Sequence, residues 1–101
     1  MQRIEYASLD ASAHRLALPR PAACDAAPLL VWIHGGGWRT GRDGAVPEQI
    51  LGMVSLGYAV AAVGYRYSQD AAFPAQLQDV RAAIRHLRHG AAAYGLNASA
   101  I

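Results

Sequence analysis

His34-Gly35-Gly36-Gly37-Trp38 is the run in this sequence whose residue types and spacing best suit it for chemistry. Three consecutive glycines let the backbone take φ values closed to other residues and leave its N–H groups open to a ligand, with no Cβ in the way. The run follows directly on the apolar segment Leu29–Ile33, so it reads as a loop at the end of a strand. Exposed N–H donors on such a loop are what an oxyanion hole requires. They hold the negative oxygen of a tetrahedral intermediate in acyl transfer, and losing one donor costs about 3–4 kcal/mol. A glycine-rich turn without function would show the same triplet. A phosphate-cradling loop is the other competitor, and it needs a downstream Lys-Ser/Thr or a G-x-G-x-x-G opening a helix. The chain has no lysine, which removes the Lys-Ser/Thr form.

The other residues capable of chemistry read as structure. Ser8, Ser12, Ser55, Ser68 and Ser99 all lack the G-x-S-x-G setting of a nucleophile. His86 and His89 stand three apart on a helical segment, a spacing that suits a metal. No acidic or cysteine residue stands beside them, so a solvated face is expected and no metal is implied. Cys24 is the only cysteine, which rules out an intrachain disulfide framework, and nothing in its Pro/Ala-rich surroundings activates it.

Several elements must position the glycine loop. Ile4, Tyr6 and Ser8 alternate with Glu5 and Ala7, and Arg15-Leu16-Ala17-Leu18 follows a polar break, which predicts two short antiparallel edge strands. Pro19, Pro21 and Pro28 bracket a loop. Leu29–Ile33 and Ala59–Val63 are unbroken apolar runs, the pattern of strands covered on both faces of a parallel sheet. Between them Ile50, Met53 and Val54 fall at helical spacing, with Pro47 near the start and Gly57 past the end. This is a strand, helix, strand unit with parallel strands. A longer helix is expected from Pro74 to Gly95, with Leu77, Val80, Ile84, Leu87 and Ala91 on its buried stripe and Arg81, Arg85 and Arg88 away from it. Ala100-Ile101 reads as the start of another strand. The pattern is α/β, in one domain spanning residues 1–101 that breaks off within a unit.

Of the 101 residues, 53% are hydrophobic and the net charge is +2, which suits one folded domain and argues against disorder. The arginines are scattered from Arg3 to Arg88, which gives no support to a nucleic-acid or membrane-surface partner. No window approaches the ~18 uncharged apolar residues of a membrane span. The first ten residues carry Arg3, Glu5 and Asp10 and no apolar core of a signal peptide, so a cytoplasmic location is expected.

The glycine run has a known likeness. HGGGW after an apolar strand resembles the oxyanion motif of α/β-hydrolase esterases and lipases. Residues 59–68, AVAAVGYRYS, are similar to the strand and turn that follow in that superfamily. Residues 73–87, FPAQLQDVRAAIRHL, are similar to its next helix, and Tyr94-Gly95-Leu96-Asn97 with Ile101 resembles the approach to the nucleophile strand. The resemblance spans roughly residues 15–101 and points to the feruloyl and acetylxylan esterase-like group and to the hormone-sensitive-lipase-like carboxylesterases.

That resemblance implies the N-terminal portion of an α/β-hydrolase fold, a mostly parallel sheet with helices on both faces. It implies Gly36 and Gly37 as oxyanion-hole N–H donors, and a third donor after a catalytic serine that this chain does not contain. The family order is Ser, then Asp or Glu, then His, so His34 is expected to brace the loop by hydrogen bonds rather than serve as the base. Trp38 lines the acyl or alcohol pocket or packs beside the loop. Arg66 and Asp79 are expected to form an ion pair between turn and helix. The implied activity is serine hydrolysis of a small carboxylic ester, without cofactor, by a protein of which this chain holds part of the oxyanion machinery and none of the triad. Residues 1–101 alone are expected to be inactive. An aryl-formamide hydrolase and a hydrolase-fold scaffold without a triad are the alternatives.

Overall fold

The computed structural model describes residues 2–7, 14–22, 25–33, 46–66 and 72–101. Four strands form one sheet: β1 (Gln2–Glu5), β2 (Arg15–Leu18), β3 (Leu29–Ile33) and β4 (Ala59–Val63), in the spatial order β1-β2-β4-β3. The first two pair antiparallel, as the sequence predicts, with Gln2 opposite Leu18 and Glu5 opposite Arg15. Of these two, only β1 is an edge strand of the described sheet. β2 also pairs antiparallel with β4, Leu16 opposite Val63 and Ala17 opposite Ala62, which corrects the expectation of two edge strands. The reason is the apolar content of Leu16-Ala17-Leu18, which is almost completely buried and has a second sheet neighbour to reach.

β3 and β4 lie side by side and parallel, in register from Leu29↔Ala59 to Ile33↔Val63. Their bounds coincide with the two apolar runs. The connection between them is less regular than the single helix expected: α1 (Glu48–Leu51) is followed by a 3₁₀ helix (Gly52–Leu56). Gly57 closes that segment at φ 95°, a left-handed conformation that favours glycine, and turns the chain into Tyr58 and β4.

The long helix is also split. α2 runs Ala75–His89 and a short α3 runs Ala91–Tyr94, with the break at Gly90. Tyr94 is the cause. Its ring folds back over Gly90, where a Cβ would meet Tyr94 Cε2 at 3.0 Å, and its hydroxyl is 2.9 Å from His86 Nε2. His86, Arg88 and His89 fall in the last turn of α2, the end at which positive charge suits the helix dipole. The buried face is rotated from the predicted stripe. Gln76, Asp79, Ala83 and Leu87 are buried, whereas Leu77 is 49% exposed and Ile84 is half-buried. Asp79 accounts for the rotation, because its carboxylate is fastened to partners beneath the helix.

Ile4, Leu16, Leu18, Leu29, Ala61, Val63, Ala83 and Leu87 belong to one apolar core cluster, with Val31 and Val80 packed against it. Beyond α3 the chain returns along β3. Ala27 and Leu96 form a parallel bridge, and Leu29 N–H donates to the Ala100 carbonyl at 2.8 Å. The strand expected to begin at Ala100-Ile101 is not formed; among the described residues only the Ala100 carbonyl joins that end to β3. Among the described residues no helix is long and apolar enough to cross a membrane.

Candidate active site

Parallel β3 and β4 end together, with Ile33 opposite Val63, so their C-terminal ends share one rim of the sheet. In α/β sheets that rim is where ligands bind. The next residue after Ile33 is His34. His34, Gly36, Gly37 and Trp38 lie outside the described residues, as does Cys24, so the described structure reaches the root of the glycine loop and stops there. Beside that root is an apolar cavity of about 220 Å³ lined by Ile33, Tyr65, Gln76, Leu77 and Val80. Four of these five are apolar or aromatic. Gln76 is the buried polar member.

Behind the cavity lies a buried polar cluster. Asp79, 3% exposed, accepts hydrogen bonds at both carboxylate oxygens. The backbone N–H of Arg66 donates to Oδ2 at 2.8 Å, and the guanidinium donates through Nε to Oδ2 at 3.0 Å and through Nη2 to Oδ1 at 2.9 Å. The ion pair expected between turn and helix is therefore present. His14, 2% exposed, completes it with Nε2 at 2.9 Å from Asp79 Oδ1. Tyr6 stacks at a tilt beside the His14 ring and donates its hydroxyl hydrogen bond to the Gly64 carbonyl.

Burial works to raise the Asp79 carboxyl, yet the Arg66 side chain, its backbone N–H and then His14 hold it below the usual carboxylate range. Burial foremost, and the negative charge of Asp79 after it, push the Tyr6 hydroxyl well above its ordinary value, with Arg66 opposing. A His against an Asp has the outline of a catalytic pair. Here the same carboxylate also holds a guanidinium, and both partners are shut away from solvent. The cluster is a clamp rather than an acid–base device.

Sequence reasoning found Arg66 and Asp79 but not His14 or Tyr6. His14 is 65 residues from Asp79 and sits in no motif, so only the pairing of β2 with β4 brings it there. His86 bonds Tyr94 and His89 is exposed on α2.

Comparison with known proteins gives the following. Residues 16–101 match the BD-FAE family. Carboxylesterase NlhH of Mycobacterium tuberculosis is 34% identical over 82 residues, covering 80% of this chain and 26% of its own length. A truncated carbohydrate esterase from gut microbiota superposes with a TM-score of 0.87 at 31% identity, over 98% of this chain and 36% of that one. Esterase B from Lactobacillus rhamnosis does so with a TM-score of 0.82 at 32% identity, over 95% of this chain and 32% of that one. The chain thus spans about a quarter of the length of the curated relatives it matches.

Proposed function

The chain belongs to the BD-FAE family and carries part of an α/β-hydrolase fold; on that premise we propose that it is the N-terminal portion of a serine hydrolase that cleaves carboxylic esters. The observation that carries the reading is that HGGGW follows in sequence on Ile33, which ends β3 at the rim shared with β4 and lines an apolar cavity. In this proposal the N–H groups of Gly36 and Gly37 hold the oxyanion, while a serine outside this chain attacks the ester carbonyl and a histidine outside it relays the proton. His34 braces the loop, and Trp38 faces the acyl or alcohol side of the substrate. The substrate is a small ester, in keeping with the names of the relatives.

The test is to read the gene in frame past the Ile101 codon and to express what it encodes. A G-x-S-x-G soon after Ile101, with Asp and His later, and hydrolysis of short-chain aryl esters by the product, are the expected results. A downstream turn without serine, or a triad-bearing product that cleaves aryl formamide in preference to ester, overturns the reading. Residues 1–101 by themselves are expected to leave aryl esters intact.

A further inference from the structure

The polar cluster around Asp79 has a placement that packing does not explain. Replacing a buried ion cluster by apolar side chains of similar volume is often neutral or stabilising, because the charges lose their hydration. Here the costly groups all converge on the three residues that leave β4. Gly64 is held from both sides, its carbonyl by the Tyr6 hydroxyl and its N–H by the Arg15 carbonyl at 2.8 Å. Arg66 is held by Asp79 through both backbone and guanidinium. His14 links the two anchors. Its ring meets Asp79, and its carbonyl accepts the Tyr6 N–H at 3.0 Å. Tyr65 stands between the anchored residues, 2% exposed, and lines the cavity together with Ile33, the residue before His34.

We propose that Asp79, His14 and Tyr6 are positioning residues: by fixing Gly64 and Arg66 they hold Tyr65 at the cavity it shares with Ile33, and so set where the glycine loop leaves β3. The inference rests on the ester-hydrolase reading and deepens it. None of the three touches substrate. Each acts through the β4 exit on Ile33, the residue from which the chain runs into the loop whose N–H groups are proposed to meet the charge of the transition state. Donors of that kind act on turnover more than on ground-state binding, and a misplacement of about 1 Å from a distant change can cost ~10²-fold.

The experiment uses the intact hydrolase encoded by the gene, with kcat and KM on a short-chain aryl ester, urea unfolding, and amide hydrogen exchange at Ile33 and Tyr65. His14→Leu and Asp79→Asn are expected to lower kcat by at least about tenfold with a much smaller change in KM, and to speed exchange at both amides. His14→Gln keeps a donor for Asp79 and is expected to restore most of kcat. An unchanged kcat with a lowered unfolding midpoint overturns the proposal, and so does a Gln variant as slow as the Leu variant. If Asp79→Asn does not fold, the His14 pair carries the test. If the wild-type protein hydrolyses no ester, the ester reading fails on its own. Exchange then decides the clamp: faster exchange at Ile33 in His14→Leu supports it, and unchanged exchange overturns it.

Discussion

β3 and β4 read alike in sequence, two five-residue apolar runs, yet they differ in the fold. AVAAV is buried at every position, while LLVWI is buried only at Leu29 and reaches 39% exposure at Ile33. The small residues are on the strand with neighbours on both sides, and the large ones on the strand at the edge of the described sheet. β4 leaves its sheet through a clamp of buried hydrogen bonds. β3 leaves toward the glycine loop, and its Trp32 Nε1 is buried with no hydrogen-bond partner among the described residues. An unbroken apolar run therefore reports that a strand belongs to a covered sheet and says nothing of its place in the order.

The sharpest way to break this contrast is to remove the clamp. Asp79→Ala leaves the Arg66 guanidinium and the His14 ring facing an empty site. Removing one partner of a buried ion pair typically costs about 3–5 kcal/mol, and the same loss is expected here in urea unfolding of the chain. An unchanged midpoint would mean that the cluster adds nothing to the fold.

How much of this was legible follows from the range of each interaction. The limits of β3 and β4 and the pairing of β1 with β2 are local patterns, and they were readable. Arg66 and Asp79 were readable through the family likeness, 13 residues apart. The contact of β2 with β4 joins Leu16 to Val63, and that of His14 with Asp79 spans a similar gulf; no periodicity encodes either. Leu77 misled because its hydrophobicity marked it for the core, whereas the helix is turned by the carboxylate of Asp79. The split at Gly90 depended on Tyr94 folding back, which the sequence presents only as a glycine inside a helix. Of the candidate site, the rim and the ion pair are described; His34, Gly36, Gly37 and Trp38 lie outside the described residues.

A second comparison uses one registered pair. Val63 is 1% exposed and Ile33, opposite it, is 39% exposed. Val63→Ala removes two carbons from the core and leaves a cavity, an expected loss of about 2 kcal/mol. Ile33→Ala removes more carbon from a wetter site and is expected to cost less, about 1 kcal/mol or under. Equal losses by urea unfolding would show that the two strands are equally covered in solution. Of comparable size is Gly57→Ala at the entry to β4, expected to cost about 1 kcal/mol. No atom stands within 4 Å of the added Cβ, so that cost comes from the backbone at φ +95° and not from a clash.

Most telling about the β4 exit is the response to pH. Asp79 has a lowered folded pKa, so its contribution is complete above the unfolded value of about 3.9 and is lost as pH falls through the still lower folded value. Tyr6 is shifted the other way. Its contribution is complete below the unfolded value of about 10 and is lost as pH rises through the higher folded one. Both groups face the same cluster, with Arg66 and His14 as the other charged or titratable members. Stability measured against pH should therefore fall away at both extremes in the wild-type chain. Asp79→Asn should flatten the acid limb and Tyr6→Phe the alkaline limb, each leaving the other limb in place. Ile33→Ala, at the end of β3, should shift the whole curve down without changing its shape. If Ile33→Ala alters either limb, the titrating groups are not confined to the exit of β4, and the contrast between the two strands fails at its electrostatic end.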